Sequence, residues 1–494
     1  MHLRLIFSLF ILFTVKTTFG QDYGNLPKIS RDKLHRDLEL LYQGLDKFHS
    51  GMYWYTPKDS VDLAFEKAKQ DISYDMNIFE FYKIIAPLVA LSREDHTDIF
   101  LPKETIEFIN KKSVFLPITV VFLGTKLFCV KNGSNYVESI IEGAEIELIN
   151  GESPIEIANK IGSLFASDGY IQNVKLRDLI GFNFSKYHFY YYGNLNHFAI
   201  KFKNIKQPII IESLSIDSIN QNFIVRNAID TTYQEKDLLE YKIINDSTAY
   251  LGLHSFYNAY IQKESSENNL KAFLVKSLKS ISENNIKNLV IDLSNNGGGT
   301  EGNEGWVYSY LGENYQKYLK VRAKTQKAIL DNGIDSPIVL KTFGFIERIF
   351  VNKKMKDGSL ERREWIGYGL KAYKKEPKYK FAGKLFVIIS PVTYSGGSEL
   401  SNMLYSNDKA IFVGEETGGG YLGNTSGYSR ELTLPHSKIT IDIPALQFVM
   451  NVKPQLPFGR GVIPHYEVIP TFEQYINREN AALEFILKLI EHKK

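Results

Sequence analysis

Three short segments of the sequence contain residues that could carry out acyl transfer. Ser395 stands in TYSGG, residues 393–397, between an apolar run and a helical pattern, and a helix N-terminus favours developing negative charge. NNGGG, residues 295–299, directly follows another apolar run, and its glycines let backbone N–H groups turn toward an oxyanion. His96, in EDHT at residues 94–97, could act as a general base near neutral pH.

Each segment also has a purely structural interpretation. A glycine run after a strand is commonly a tight turn, and a serine among glycines is commonly a turn residue or a helix cap. A histidine beside an aspartate is commonly a capping or surface residue. The spacing alone does not show that the three segments meet in space.

Nucleotides and metals are disfavoured as ligands. Residues 297–302 and 418–423 both fit G-x-G-x-x-G, but neither is followed, about 20 residues on, by a clear strand that ends in an acid. A metal site built from Asp95, His96 and Asp98 lacks a second histidine at helical spacing. We therefore expect neither a metal nor a cofactor.

The composition is that of a globular protein with a substantial core. The chain has 494 residues, of which 44% are hydrophobic and 23% charged, and this excludes a mainly disordered chain and a polytopic membrane protein. Lys plus Arg number 59 and Asp plus Glu 56, so the net charge is +3, and we expect no nucleic-acid partner. The single cysteine, Cys129, can form no internal disulfide.

Residues 1–20 predict a signal peptide. Arg4 precedes an apolar run over residues 5–15, and small residues at 18 and 20 allow cleavage before Gln21. The run is shorter than the roughly 18 apolar residues that a membrane span needs. We expect a mature chain without a membrane span, located in the periplasm or outside the cell.

Three regions of different periodicity would have to position the reactive segments. Residues 21–110 show helical spacing, including leucines at 34, 38, 41 and 45. Residues 111–215 predict a β-rich module, with strand-like segments that include 187–192 and 197–202, and residues 213–227 predict a linker. From about 240 to 494 strands and helices alternate, with buried strands predicted at 288–293 and 384–390.

The combination of these motifs resembles the C-terminal processing peptidase, or tail-specific protease, family. The branch that it resembles includes the tricorn protease core and retinoid-binding-protein-like repeats. The similarity rests on residues 289–299, 393–397, 413–417 and 461–464, and the segments GAEI and ING, residues 143–146 and 149–151, resemble the PDZ-like module of that family. The resemblance implies a multidomain α/β fold with a helical N-terminal region, a PDZ-like module and a crotonase-like catalytic core.

The resemblance also implies a serine endopeptidase that acts on peptides or proteins. Ser395 matches the nucleophile, and Gly298 and Gly396 match the backbone donors of the oxyanion hole. Many members use a lysine whose place falls at Gly420 here, whereas the tricorn-like branch uses a histidine from a D-x-H-T segment, which His96 matches.

The third catalytic residue stays open under this resemblance. Tricorn-like relatives carry a glutamate just before the G-V-x-P stretch, where this chain has LPFG at residues 456–459. Asp95 and Glu415 are the remaining candidates for the group that orients the imidazole.

Two other functions compete with the peptidase. Ser395, Asp442 and His465 occur in the Ser…Asp…His order of α/β-hydrolase esterases, although that function leaves residues 111–215 unexplained. A non-catalytic relative could instead capture chain ends by strand addition to its PDZ-like module.

Overall fold

The computed structural model describes residues 23, 26–136, 140, 142–226, 237–325, 328–329, 345–346, 350–366, 369–372 and 377–492. The predicted signal peptide lies outside the described residues. The chain has a mixed α/β architecture with three sheets among the described residues.

The N-terminal region begins with three helices, and the first lies where the leucine spacing predicts it. Leu34, Leu38, Leu41 and Leu45 are buried on one face of the first helix because positions three and four apart share a side of a helix. A short strand and a fourth helix follow. The elements are α1 (Arg31–Phe48), α2 (Lys58–Asp71), α3 (Ile78–Ala90), β1 (Asp98–Phe100) and α4 (Lys103–Lys112).

The middle region contains an antiparallel five-stranded sheet in sequential order, β2-β3-β4-β5-β6. Helices lie between its strands and after the last one. The elements are β2 (Ile118–Leu123), β3 (Lys126–Asn132), β4 (Glu145–Ile149), α5 (Pro154–Ile161), α6 (Asn173–Asp178), α7 (Asn183–Tyr192), β5 (His197–Phe202), β6 (Ile209–Glu212) and α8 (Ile216–Arg226).

Two sequence predictions in this region are wrong. Residues 187–192 form part of helix α7 instead of a strand, and Phe184, His188 and Phe189 are its buried face. The aromatic-rich run has high strand propensity, but tertiary packing overrides such a preference. The predicted linker at residues 213–227 contains helix α8, which is anchored by the buried Ile219.

The C-terminal region alternates strands and helices, as predicted. Its elements up to the nucleophile segment are β7 (Leu239–Asn245), β8 (Thr248–Leu253), α9 (Asn258–Glu264), α10 (Leu270–Glu283), β9 (Asn288–Asp292), α11 (Asn303–Leu311), β10 (Tyr318–Ala323), β11 (Asn352–Lys354), β12 (Leu360–Arg362) and β13 (Lys384–Ile389). The remaining elements are α12 (Gly396–Ser406), β14 (Ile411–Gly414), β15 (Gly423–Thr433), β16 (Thr440–Met450), β17 (Tyr466–Glu467), α13 (Phe472–Ile476) and α14 (Ala481–Glu491).

A sheet in the order β17-β14-β13-β9-β8-β7 forms the centre of this region. Strands β8, β9, β13, β14 and β17 run parallel, and apolar clusters cover the two faces of the sheet. Because parallel strands end at the same edge of a sheet, the loops after β9 and β13 lie side by side. These loops contain the glycine run and Ser395.

A second sheet joins the N-terminal region to the C-terminal one. Strand β1 pairs with β16 through Asp98–Asp442, Ile99–Ile441 and Phe100–Thr440. One apolar cluster contains residues of helices α1 to α3 together with Leu434, Ile441 and Ile443. His96 lies just before β1, so this pairing fixes its loop against the C-terminal region.

Candidate active site

Ser395 lies in a strained turn between strand β13 and helix α12. Its backbone has φ 45° and ψ −122°, a conformation that non-glycine residues rarely adopt. The N–H of Tyr394 donates to the Asn296 carbonyl at 2.9 Å, and the Thr393 hydroxyl donates to the Leu293 carbonyl at 2.8 Å. The loop after β9 therefore holds the turn in place.

Gly298 is packed against Ser395 so closely that no side chain fits. A Cβ atom added at Gly298 would lie 2.6 Å from the Cβ of Ser395 and 2.8 Å from the nitrogen of Gly396, and its φ is +94°. Both the space and the backbone conformation therefore require glycine here. The predicted oxyanion segments thus meet at the serine.

The two predicted oxyanion donors differ in their present partners. Gly396 is the first residue of α12, and its N–H has no acceptor among the described residues. The N–H of Gly298 donates to Oδ1 of Asn296 at 2.8 Å. Asn296 is buried, and its amide donates to the Leu253 carbonyl at 2.7 Å. Of these two donors, Gly396 is the one without an acceptor among the described residues.

The loop that carries His96 is held by backbone hydrogen bonds on two sides. The N–H of Asp95 donates to Oδ1 of Asp168 at 2.9 Å, and the N–H of Gly420 donates to Oδ2 of the same carboxyl group at 3.0 Å. On the other side, the N–H of Thr425 donates to Oε2 of Glu94 at 2.7 Å. Asp168 thus links the His96 loop to the segment after β14.

His49 supports the same loop from helix α1. Its Nδ1 accepts from the N–H of Gly51 at 3.1 Å, so Nε2 carries the proton and donates to the Thr97 hydroxyl at 2.7 Å. Burial lowers the pKa of His49 to about 3, which keeps the ring neutral. Sequence reasoning missed this residue because it lies 48 positions before Thr97 and shares no motif with it.

His96 and the nucleophile segment meet at Tyr394. The rings of His96 and Tyr394 make an edge-to-face contact with centroids 6.3 Å apart. Nδ1 of His96 is buried and has no hydrogen-bond partner among the described residues. Burial lowers the pKa of His96, against the charges of Asp95 and Glu399, and favours the neutral ring that a general base needs.

The two predicted third members lie in different surroundings. Burial, followed by the charge of Asp168, raises the pKa of Asp95 to about 7. Glu415 lies after β14, where its N–H donates to the Ile389 carbonyl, and burial with the neighbouring Glu467 raises its pKa to about 7. Among the described residues, the carboxylates that act on His96 are Asp95 and Glu399.

Sequence reasoning missed a buried network of charges behind Ser395. The Lys317 ammonium pairs with Glu304 and, at 2.9 Å, with Glu399. Oε1 of Glu399 also accepts from the Tyr318 hydroxyl at 2.7 Å and from the Asn424 amide at 3.3 Å. All five side chains are buried.

The protonation states in this network follow from its contacts. Burial alone would lower the pKa of Lys317, but Glu304 and Glu399 raise it well above its ordinary value. Burial alone would raise the pKa of Glu399, but Lys317, Tyr318 and Asn424 lower it overall. Lys317 is therefore a fixed cation and cannot act as a general base. The sequence signal that could have pointed to Glu399 is its position four residues after Ser395.

The structure contradicts the esterase alternative. Asp442 lies in β16 opposite Asp98 and Glu431. Nδ1 of His465 accepts from the Phe412 N–H at 3.0 Å, and its ring packs on Tyr405 and Phe412. The Ser…Asp…His order in the sequence therefore does not correspond to one site.

Neither a metal cluster nor a spanning helix is found in the part of the chain that the structure describes. No group of three or more His, Cys, Asp or Glu residues there could hold a metal ion. Within the same ranges, none of the helices has the length and apolar character needed to cross a bilayer.

Known proteins are similar to this chain in one family model and in fold. Residues 247–468 match the model of peptidase family S41. The fold is similar to that of mature CPAF, with TM-score 0.59, 14% identity, and coverage of 93% of this chain and 96% of that one. For mature CPAF complexed with lactacystin the TM-score is 0.58 and the identity 14%, with coverage of 93% of this chain and 97% of that one. For a CPAF mutant the TM-score is 0.59 and the identity 13%, with coverage of 91% and 95%. No curated protein sequence shows significant similarity.

Proposed function

From its place in the C-terminal processing peptidase family, with a peptidase family S41 domain at residues 247–468, we propose that this serine-type peptidase uses Ser395 as its nucleophile and His96 as its general base. The observation that carries the proposal is the strained turn at Ser395, which lies at a helix N-terminus beside the free N–H of Gly396. A hydroxyl in that position faces a donor suited to a tetrahedral oxyanion.

The proposed reaction is acyl transfer in two steps. Neutral His96 takes the proton of the Ser395 hydroxyl as its oxygen attacks the peptide carbonyl carbon. The resulting imidazolium returns that proton to the amine nitrogen as the C–N bond breaks, which leaves an acyl ester on Ser395. Water gives a proton to His96 and attacks the ester carbonyl carbon. The imidazolium then returns that proton to the Ser395 oxygen as the ester C–O bond breaks, which releases the acid and the free serine.

The oxyanion would be held first by Gly396. Its N–H points from the positive end of helix α12, where negative charge is stabilised. We propose that Gly298 becomes the second donor when the substrate oxygen competes with Oδ1 of Asn296 for its N–H. Loss of one such donor typically lowers the rate about 100- to 1000-fold.

Cleavage of an unfolded protein tests the reaction class. Purified protein is incubated with denatured casein, and new amino termini are identified by mass spectrometry. We expect internal cleavage by the natural protein and by Ser401→Ala, which changes a serine further along the same helix. Cleavage that persists in Ser395→Ala would contradict the proposal.

We also propose export through the signal peptide at residues 1–20. Expression with and without these residues in a bacterial host tests this. The full chain should be recovered from the periplasm or medium with Gln21 as its first residue. Retention of an unprocessed full chain in the cytoplasm would contradict export.

We propose that the middle region binds extended substrate as a PDZ-like module. The outer strands of its sheet are β2 and β6. Val120 within β2 is bridged to Gly181, whereas the bridge to Phe115 at the other edge involves Leu214, after the end of β6, so β6 itself is the edge that we propose for strand addition. Ile210 is exposed on that strand. Ile210→Glu should raise KM for long substrates and leave cleavage of a short ester unchanged; an equal effect on both would argue against delivery.

A further inference from the structure

We propose that Glu399 is the positioning residue whose negative charge stabilises the His96 imidazolium. This is the role for which the sequence offers Asp95 and Glu415 as candidates. This inference rests on the proposed function, since it assigns a role within the same reaction. Glu399 touches no reacting atom and would act through the histidine.

The helix register places Glu399 on the catalytic side of α12. Ser395 caps this helix, and Glu399 follows it by four residues, which is about one turn. Tyr394, which precedes Ser395, contacts the His96 ring. The same end of one helix therefore carries both the nucleophile, next to the contact with His96, and the carboxylate.

Strand β15 joins the surroundings of the two residues. The Asn424 amide donates to Glu399 at 3.3 Å, and the N–H of the next residue, Thr425, donates to Glu94 of the His96 loop at 2.7 Å. Both carboxylates are buried. The position of His96 relative to Glu399 is thus fixed by consecutive residues of one strand.

The network around Glu399 leaves a net negative charge. One cation, Lys317, is shared between two carboxylates, Glu304 and Glu399. Buried charges interact through a lower effective dielectric than exposed ones, so the excess negative charge acts on a nearby imidazolium. Glu301 and Arg362, which have opposite charges, also face this network.

Asp95 is less suited to this role. Its carboxyl group is buried beside Asp168 and Asp178, with Arg177 as its opposing cation, and near neutral pH a substantial fraction of it would carry a proton. Glu399 is held ionised by its contact with Lys317. Nδ1 of His96 has no hydrogen-bond partner among the described residues. This agrees with stabilisation of the imidazolium by a nearby charge instead of by a direct hydrogen bond.

The pH dependence of kcat/KM for peptide cleavage tests the inference, with Glu304→Gln as a matched control. Both glutamates are buried and pair with Lys317, but Glu399 is the one whose charge acts on His96. Removing a negative charge lowers the pKa of the histidine. Glu399→Gln should therefore move the acid limb of the profile to lower pH by about half a pH unit and reduce the plateau about tenfold.

Glu304→Gln removes the same charge from the network, but Glu399 is the member that acts on His96, so the control should move the acid limb by less than Glu399→Gln. Glu399→Asp, which retains the charge, should keep the acid limb of the natural protein. If Glu399→Gln does not fold, a triple variant that adds Lys317→Met and Glu304→Gln makes all three paired groups neutral and should show the same acid-limb shift. An unmoved acid limb in folded Glu399→Gln, or in the variant that replaces it, overturns the inference. Absence of Ser395-dependent cleavage by the natural protein would instead overturn the proposed function.

Discussion

Ser395 adopts a backbone conformation that is easy for glycine and strained for serine. A φ of 45° with a ψ of −122° costs a non-glycine residue about 1–3 kcal/mol. The surrounding hydrogen bonds from Thr393 and Tyr394 maintain the turn. Retention of a side chain at this position is explained by its chemistry and not by stability.

Ser395→Gly should therefore separate stability from activity. We expect the free energy of unfolding to rise by about 1 kcal/mol, because the strain is relieved, while peptide cleavage is lost. Urea unfolding measures the first effect. Ser401→Gly, within the helix, should instead destabilise the fold, and a loss of stability in Ser395→Gly would show that the turn is not strained.

The buried carboxyl group of Asp95 should make stability depend on pH. Burial and the nearby Asp168 raise its pKa to about 7, compared with about 3.9 in an unfolded chain. The folded state therefore favours the protonated group, so stability falls as the pH rises from about 4 to about 7 and levels off above that. Much of this stabilisation remains at pH 5, and it is absent at pH 8.

Asp95→Asn removes this pH dependence. The difference in unfolding free energy between the variant and the natural protein should favour the variant by about 1–3 kcal/mol more at pH 8 than at pH 5. Urea unfolding at both pH values measures it. The exposed Asp59→Asn serves as a control and should show no such difference. A variant that loses stability between pH 5 and pH 8 as steeply as the natural protein would refute the assignment.

At the scale of elements, the site depends on two loops that leave neighbouring parallel strands. Strands β9 and β13 are in register from Asn288–Lys384 to Asp292–Ile388, so their following loops touch. Gly298 is the point of contact with Ser395. A small change at this contact should therefore displace Ser395.

Gly298→Ala and Gly297→Ala form a matched pair for this contact. A Cβ at Gly298 would collide with Ser395, whereas a Cβ at Gly297 meets nothing within 4 Å. We expect Gly298→Ala to lower kcat/KM by about 100-fold or more and to destabilise the fold by about 1–3 kcal/mol. Gly297→Ala should stay near the natural values; equal effects of the two changes would contradict the proposed contact.

The sequence predicts those elements whose periodicity is strong. The leucine stripe of α1 and the apolar runs of β9 and β13 were predicted where the structure has them. The aromatic run of α7 predicts a strand instead of a helix, because Tyr and Phe favour strands locally. The ion network of Lys317 and Glu399 could not be predicted, since its members lie 82 positions apart and only tertiary packing joins them.

At the scale of the whole molecule, the site is assembled from all three regions. His96 comes from the N-terminal region, Asp168 from the middle region and Ser395 from the C-terminal region. Strand β1 also completes a sheet of the C-terminal region by pairing with β16. We therefore expect the N-terminal and C-terminal regions to fold together.

Residues 237–494 expressed alone should fail to fold. Without the N-terminal helices, the buried side chains of Leu434, Ile439, Ile441 and Ile443 would form an exposed apolar surface that promotes aggregation. Solubility and the cooperativity of unfolding measure this, and co-expression with residues 23–226 should restore a soluble complex. A soluble fragment that unfolds cooperatively by itself would contradict the shared sheet.

Labelling with a fluorophosphonate probe is the most direct test of an activated serine paired with His96. The probe reacts with a nucleophilic serine and needs no knowledge of the substrate. We predict labelling of the natural protein at Ser395, identified by mass spectrometry of the modified peptide, and loss of labelling in both Ser395→Ala and His96→Ala. Labelling that survives His96→Ala in a folded protein would contradict the pair, and a natural protein that never reacts would contradict the activated serine itself.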